Sequence, residues 1–288
     1  MSDKQTLEKI KKLREITGVG FKDCKLAIDE NNGDIDKSIE YLRKKGIAKA
    51  SKKMGRIAAD GLALVFEQEN KISIIEINSE TDFVAKNKDF ISFCKELSEL
   101  NFQNKSNLDK LKSSKMKNQK KVDENLITLI SKIGEKITIR RAKYFDNNGT
   151  NFSYVHNSLE NNIGKVVSIV QLSKNSNKNS KDLGMKLAMH IAAQAPIAID
   201  ENGINKEILE KELEIIKEEL KNSGKKPEMI DKISKGKIKK FISENTLLNQ
   251  IWIMDTNKKV SQVIKEHSDG EEIKVLDFVR YKVGEGID

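Results

Sequence analysis

The chain has 288 residues, enough for two domains or for one core with appendages. Charged residues make up 34% against 37% hydrophobic, with two prolines, and no run approaches the roughly 18 consecutive apolar residues of a membrane span. The 53 Lys+Arg exceed the 44 Asp+Glu by nine, a balance that favours an acidic partner or nucleic acid without selecting either, since lysines spread along helix faces read as a solvated surface.

The opening "MSDKQTLEKIKKL" lacks the apolar centre of a signal peptide. Leu7, Ile10, Leu13 and Ile16 recur at helical spacing, and Gly18 stops that run. A second short helix carries Leu26, Ala27 and Ile28 and breaks at "NNGD". A third puts Ile35, Ile39 and Leu42 on one face and ends at Gly46. Three amphipathic helices with short links form a small bundle, over 1–46, of a size that suits docking. The tract "KKGIAKASKKMGR" reads as a linker with some helical tendency, so the linker is placed at 47–60.

From Gly61 the period changes. "LALVFEQ" and "ISIIEIN" are strands joined at "EN", a hairpin signal. "TDFVAKN" leads into the helix "DFISFCKELSEL", with Phe90, Phe93, Cys94 and Leu97 on one side. A polar stretch, "NKSNLDKLKSSKMKNQKK", precedes another helix ending near Gly134, and "KITIRRAKYF" returns to strand. The next block repeats the pattern: "FSYVHNSLENNIGKVVSIVQLS" is strand, turn and strand, and "LGMKLAMHIAAQ" a helix. Two related α+β subdomains, 61–146 and 147–288, are expected in place of one large sheet. Within the second, Leu209, Leu213, Ile216 and Leu220 follow a coiled-coil seam. "PEMIDKISKGKIKKFISENTLL" supplies the returning helix of an antiparallel hairpin at about 205–243.

Catalytic signals are sparse. His156, His190 and His267 lie in separate segments without metal-ligand spacing, and His190 reads as a packed helix residue. Cys24 and Cys94 stand alone, which suits buried thiols in the reducing cytoplasm. The basic tracts 44–56 and 110–121 lack interleaved aromatics, so no direct nucleic-acid partner is expected; a ribosome- or RNA-associated binding protein, motivated by these tracts and the charge excess, is the alternative reading. "INSETDFVAKN" has two readings. On propensity alone Thr81 is a helix N-cap, Asp82 suits the positive helix end, and Phe83 and Val84 are core. The alternative turns Phe83 outward, as a wedge whose burial in a partner's pocket is worth about 1.5–3 kcal/mol.

"KKLREITGVGFKDCKLAIDENNGDIDKSIEYLRKKG", "EINSETDFVAKN", "KIGEKITIRRAKYF", "AMHIAAQAP" and "DFVRYKVGEGID" occur in an order that resembles the bacterial elongation factor Ts family nearly end to end. The resemblance implies an α+β protein with a UBA-like three-helix bundle, two core subdomains with antiparallel strands and a projecting helical hairpin. It implies exchange of guanine nucleotide on elongation factor Tu, with no cofactor, metal or bond-making residue of this chain's own. Thr81, Asp82, Phe83 and Val84 match the family segment inserted beside the partner's Mg²⁺ and phosphate site. Arg14, Val19 and Phe21 match its docking surface, and His156 a contact with another domain of the partner. The hairpin mediates self-association in some members. The chain departs from the family at "NSLENN", where relatives have a short Gly/Arg turn, and in ending at "GEGID", where some carry a further helical module.

Overall fold

The computed structural model describes residues 3–17, 19–174, 179–268 and 271–287; Gly18, the expected helix stop, lies outside them. Three helices open the chain, α1 (Asp3–Thr17), α2 (Phe21–Glu30) and α3 (Ile35–Lys53). Ile10, Leu13, Cys24, Ala27, Ile28 and Leu42 close into one small core. Leu7 and Ile16, grouped with that core by spacing, stand exposed. A three-helix bundle of this size has too little interior to cover every apolar position of its first helix.

Gly46 does not end α3, which continues seven residues further, to Lys53. A side chain at Gly46 would come within 2.8 Å of Ser131 Oγ, so glycine there permits close approach to a later helix. Ala50, one turn on, enters the main core. The expected linker therefore shrinks to the few residues after Lys53, and the bundle is joined to the rest by a continuous helix.

β1 (Asp60–Gln68) and β2 (Lys71–Ser79) pair along their full length. Glu69 and Asn70 between them both have left-handed φ, 51° and 60°, the two-residue turn whose twist matches a hairpin. Then follow α4 (Asp82–Ala85), α5 (Lys88–Gln103), α6 (Leu108–Ser113), α7 (Val122–Ile133) and β3 (Ile137–Phe145). α7 stops at Gly134, φ 88°. The polar stretch before α7 is not all coil: α6 lies within it, and Leu111 and Met116 are buried in the main core. Three apolar residues, Leu108, Leu111 and Met116, scattered among lysines give too weak a period to mark a helix.

β4 (Thr150–Glu160), β5 (Ile163–Leu172), α8 (Asn179–Gln194), α9 (Lys206–Asn222), α10 (Pro227–Asn245), α11 (Val260–His267) and β6 (Val275–Lys282) complete the chain. The strands form one six-stranded antiparallel sheet in the order β3-β2-β1-β5-β4, with β6 also on β5. The two expected halves are recognisable, yet they are not separate sheets. β1 meets β5 through only two residue pairs, Ala63 with Gly164 and Leu64 with Ile163, and β6 occupies the rest of that edge. So short a seam leaves no periodicity to read. One face carries two cores, one around Phe90, Leu97 and Ile75, the other around Leu187, Ile191 and Trp252. A third on the opposite face joins Val65 and Ile74 of one half to Val167 and Tyr281 of the other. α9 and α10 form the hairpin, closed by Ile216, Leu220 and Ile230. Among the described residues no helix is long and apolar enough to cross a membrane.

Glu76, in the middle of β2, is fully buried and tied on four sides. Its carboxylate accepts from Arg140 Nη1 at 3.0 Å, Arg141 Nε at 2.5 Å, Asn78 Nδ2 at 3.0 Å and the Gly284 N–H at 2.9 Å. Gly284 has φ 78°, and a side chain there would strike the Ala59 carbonyl. Arg141 also lies 4.3 Å over the Tyr281 ring. Strand β2 is thereby fastened to β3 and to the segment after β6. Burial alone would raise the Glu76 carboxyl; the donors from Gly284, Arg141 and Asn78 outweigh it and hold the group below its ordinary value of 4.5. This contribution to stability is complete above that value and is lost as pH falls through the lowered folded value. We expect Glu76→Gln to lose about 3–5 kcal/mol at neutral pH, as breaking a buried ion pair does, and to show a flatter acid limb than wild type. Urea unfolding at neutral and acid pH measures both; equal stabilities would refute the assignment.

Candidate functional site

Between β2 and α5 the chain turns a corner, and each residue of it has a distinct restraint. Ser79 Oγ donates to the Thr81 carbonyl at 3.0 Å. The Thr81 N–H donates to Glu135 Oε2 at 3.0 Å, and its hydroxyl to Glu135 Oε1 at 2.8 Å. In return Glu80 Oε1 accepts the Lys136 N–H at 2.5 Å. Arg56 Nη1 reaches Glu80 at 3.2 Å, and Lys136 Nζ reaches the Arg56 carbonyl at 2.7 Å. Lys53, at the end of α3, donates to the Gly134 carbonyl. Two adjacent pairs, 80–81 and 135–136, thus exchange carboxylates across the end of the β2–β3 ladder.

Thr81 occupies the N-cap position of α4 with extended backbone, φ −129° and ψ 159°, but its side chain does not cap. The expected N-cap is corrected: the hydroxyl serves as donor to an ionised carboxylate, a stronger bond than a neutral cap. Asp82 is no cap either. It pairs with Lys86 at 2.9 Å on the exposed side of the turn, and that hydrogen bond holds its carboxyl below the ordinary aspartate value. The cap of the long helix comes from Asn87, whose side chain accepts from Asp89 and Phe90.

Consecutive residues of a helical turn point about 100° apart, and α4 uses this to divide its apolar residues. Val84 is 4% exposed and Ala85 is buried beside it, both within the main core. Phe83 is 78% exposed. The reading of Phe83 as core is therefore corrected, whereas Val84 sits where that reading put it. Leaving a benzyl group in water forgoes about 1.5–3 kcal/mol of burial, and here a buried valine and alanine anchor the turn that holds it there. Met54 and Ile57, not singled out by the sequence, are also exposed, on the segment that Arg56 fastens to Glu80.

The residues expected to dock form a separate group. Arg14 is exposed, Phe21 is 43% exposed at the start of α2, and Ile16 adds further apolar surface in the last turn of α1. Val19 is only partly exposed and packs against the bundle core, so it shapes this end more than it presents itself. His156 is exposed on β4, with Tyr154 Oη 3.2 Å from its Nδ1. β1 and β5 lie between β4 and β2, so the fold does not bring His156 to Phe83.

Two other titratable groups, His190 and Cys94, are spent on packing. His190 is buried, stacked on Trp252 at 5.1 Å, with Nε2 3.0 Å from Gln250 Oε1, and burial lowers its pKa. Burial pushes the Cys94 thiol well up. Among the described residues no group of three His, Cys, Asp or Glu could hold a metal ion. An open depression of about 600 Å³ beside Tyr144, Asp146 and Asp277 lies at the far end of β3 from Lys136. The notable feature is thus a projection held on a stiff base, a shape suited to entering another molecule. Glu135→Ala should speed hydrogen exchange at the Thr81 amide by about 10–100-fold, from loss of a hydrogen bond to a charged group. Mass-spectrometric exchange over 79–90 reads this; unchanged protection would show that the carboxylate does not hold the corner.

The family described as Elongation factor TS has a sequence model that matches residues 80–285. The elongation factor Ts of Rickettsia akari is 41% identical over 284 residues, spanning 97% of this chain and 92% of its own. That of Methylorubrum populi is 40% identical over the same shares, and that of Nitrobacter hamburgensis 39% over 98% of this chain and 93% of its own.

Proposed function

The chain belongs to the elongation factor Ts family, a family of guanine-nucleotide exchange factors for elongation factor Tu in translation, and from that premise we propose that Phe83 is the part that drives the exchange. The observation that carries this reading is the ring's exposure on a clamped corner. In the proposed complex the Thr81–Val84 turn enters elongation factor Tu beside its nucleotide, and Phe83 is buried among the partner's helices. Displacing the Mg²⁺ there removes a principal counter-charge from the phosphates, and GDP leaves faster. Thr81 and Val84 act through the corner: one is held by Glu135, the other by the core. Asp82, paired with exposed Lys86, exchanges that partner for one on the other protein.

Linkage sets the size of the effect. GDP and this chain each weaken the other's hold on elongation factor Tu by one common factor. Burial of one phenyl ring, about 1.5–3 kcal/mol, corresponds to roughly 10–100-fold in that factor. Residues 1–46 act as the docking unit, with Arg14 and Phe21 in contact and Val19 supporting them, and His156 meets a different domain of the partner. The chain needs no bond-making residue or cofactor for this, and it works in the cytoplasm with its partner.

Stopped-flow release of a fluorescent GDP from elongation factor Tu tests the assignment. Phe83→Ala should reduce the accelerated rate by about 10–100-fold and leave the fold within about 0.5 kcal/mol of wild type, because the ring is exposed. A variant that accelerates release as well as wild type overturns the wedge; no acceleration by wild type overturns the exchange reading itself.

A further inference from the structure

The α9–α10 hairpin contributes nothing to the corner or the docking bundle, yet its two helices carry unlike charge. α9 has six glutamates and four lysines; residues 225–240 have seven lysines and two acids. α10 meets α9 through Ile230, Ile233 and Ile238, with Ser234 buried among them. At 100° per residue the opposite face bears Lys232, Lys235 and Lys239, with Lys240 at its border, and all four are exposed. Lys237 is engaged by Glu219 at 3.0 Å and Lys240 by Glu244 at 3.6 Å, while Asp231 is met by Lys217 of α9 at 3.9 Å. Lys232, Lys235 and Lys239 have no ion-pair partner among the described residues.

Beside these three lysines, on the side towards Lys240, stands Gly236. Glycine inside a helix costs about 1 kcal/mol relative to alanine, and the fold explains the other two helical glycines. A side chain at Gly46 would meet Ser131, and one at Gly184 would collide with the Phe152 ring. At Gly236 a Cβ would find nothing within 4 Å. Nothing among the described residues requires the residue to be small.

We propose that the outer face of α10 binds the phosphate backbone of an RNA strand, held by Lys232, Lys235 and Lys239 and brought close to the helix at Gly236 beside them. Lysine is depleted at protein–protein interfaces, where arginine and aromatics concentrate, and α10's outer face between Lys232 and Lys240 has neither. As compact point charges, lysines suit phosphates. Seven residues of helix span roughly 10 Å, enough for about two or three phosphates of one strand. With no aromatic to stack on a base, binding is independent of sequence. The stripe lies outside the lysine tracts at 44–56 and 110–121, and it exists only once α10 is folded against α9.

The test uses the full chain and a fluorescein-labelled RNA duplex, read by fluorescence anisotropy across a salt series. Wild type should bind with a steep salt dependence. Replacing three phosphate contacts in Lys232→Ala/Lys235→Ala/Lys239→Ala should lower the slope of log K against log salt by about 2–3. Gly236→Leu, which keeps every charge and favours the helix, should weaken binding about tenfold, the equivalent of 1.4 kcal/mol. An unchanged slope in the triple variant overturns the proposal. So does a wild-type protein that binds no RNA but self-associates in sedimentation through the same lysines, which would make a second copy's acidic α9 the occupant. GDP release, measured in parallel, is expected to be unaltered in both variants.

Discussion

The reciprocal exchange of carboxylates between Glu80–Thr81 and Glu135–Lys136 is the constraint on which the proposed activity depends. Each pair supplies an acceptor to the other's backbone N–H, at 2.5 Å and 3.0 Å, and the Thr81 hydroxyl adds a third bond. A single helical turn such as α4 has too few internal hydrogen bonds to hold its own shape. Fixed at its entry by Glu135 and at its exit by the Asn87 cap, and pinned beneath by Val84 and Ala85, it can keep a phenylalanine in water. An untethered turn would let that ring fold back against the protein's own apolar surface. The strain of exposure is thus carried by polar bonds a few residues away.

The same clamp reaches the N-terminal three-helix bundle. Arg56 bonds to Glu80, Lys136 to the Arg56 carbonyl, and Lys53 to the Gly134 carbonyl. α3 runs without interruption from the bundle to this point, roughly 28 Å of helix, and Arg43 is paired with Glu124 of α7 at 2.7 Å along the way. On the other side Glu76 fastens β2 to β3 and to the chain after β6. In the proposed complex the surface that docks and the ring that inserts therefore belong to one stiff frame, so binding energy gained at Arg14 and Phe21 need not be dissipated in a hinge before it acts at Phe83.

Much of this was legible in the sequence, for identifiable reasons. Alternation in "LALVFEQ" and "ISIIEIN" located the first hairpin, and the spacing of Phe90, Cys94 and Leu97 located α5, because period and burial agree there. The seam at Ile216 and Leu220 gave the helical hairpin. What escaped was set by contacts distant in sequence. Gly46 has the chemistry of a helix stop and is instead a crossing point against Ser131. The two-residue seam at Ala63 and Leu64 turns two halves into one sheet. Thr81 looked like a cap because its actual acceptor lies 54 residues away. Phe83 is the sharpest case, since an apolar residue at a helix start ordinarily goes inward; resemblance to a family, and not the pattern, turned it outward, and the ring is exposed.

The central claim is that rigidity of the corner, beyond the mere presence of the ring, produces the exchange. Stopped-flow GDP release from elongation factor Tu with Glu135→Ala, Phe83 intact, tests it most directly. The account predicts a maximal rate lowered by about tenfold or more, since two charge-assisted hydrogen bonds to Thr81 are lost, at an unchanged half-saturating concentration, because residues 1–46 are untouched. A maximal rate equal to wild type would contradict it.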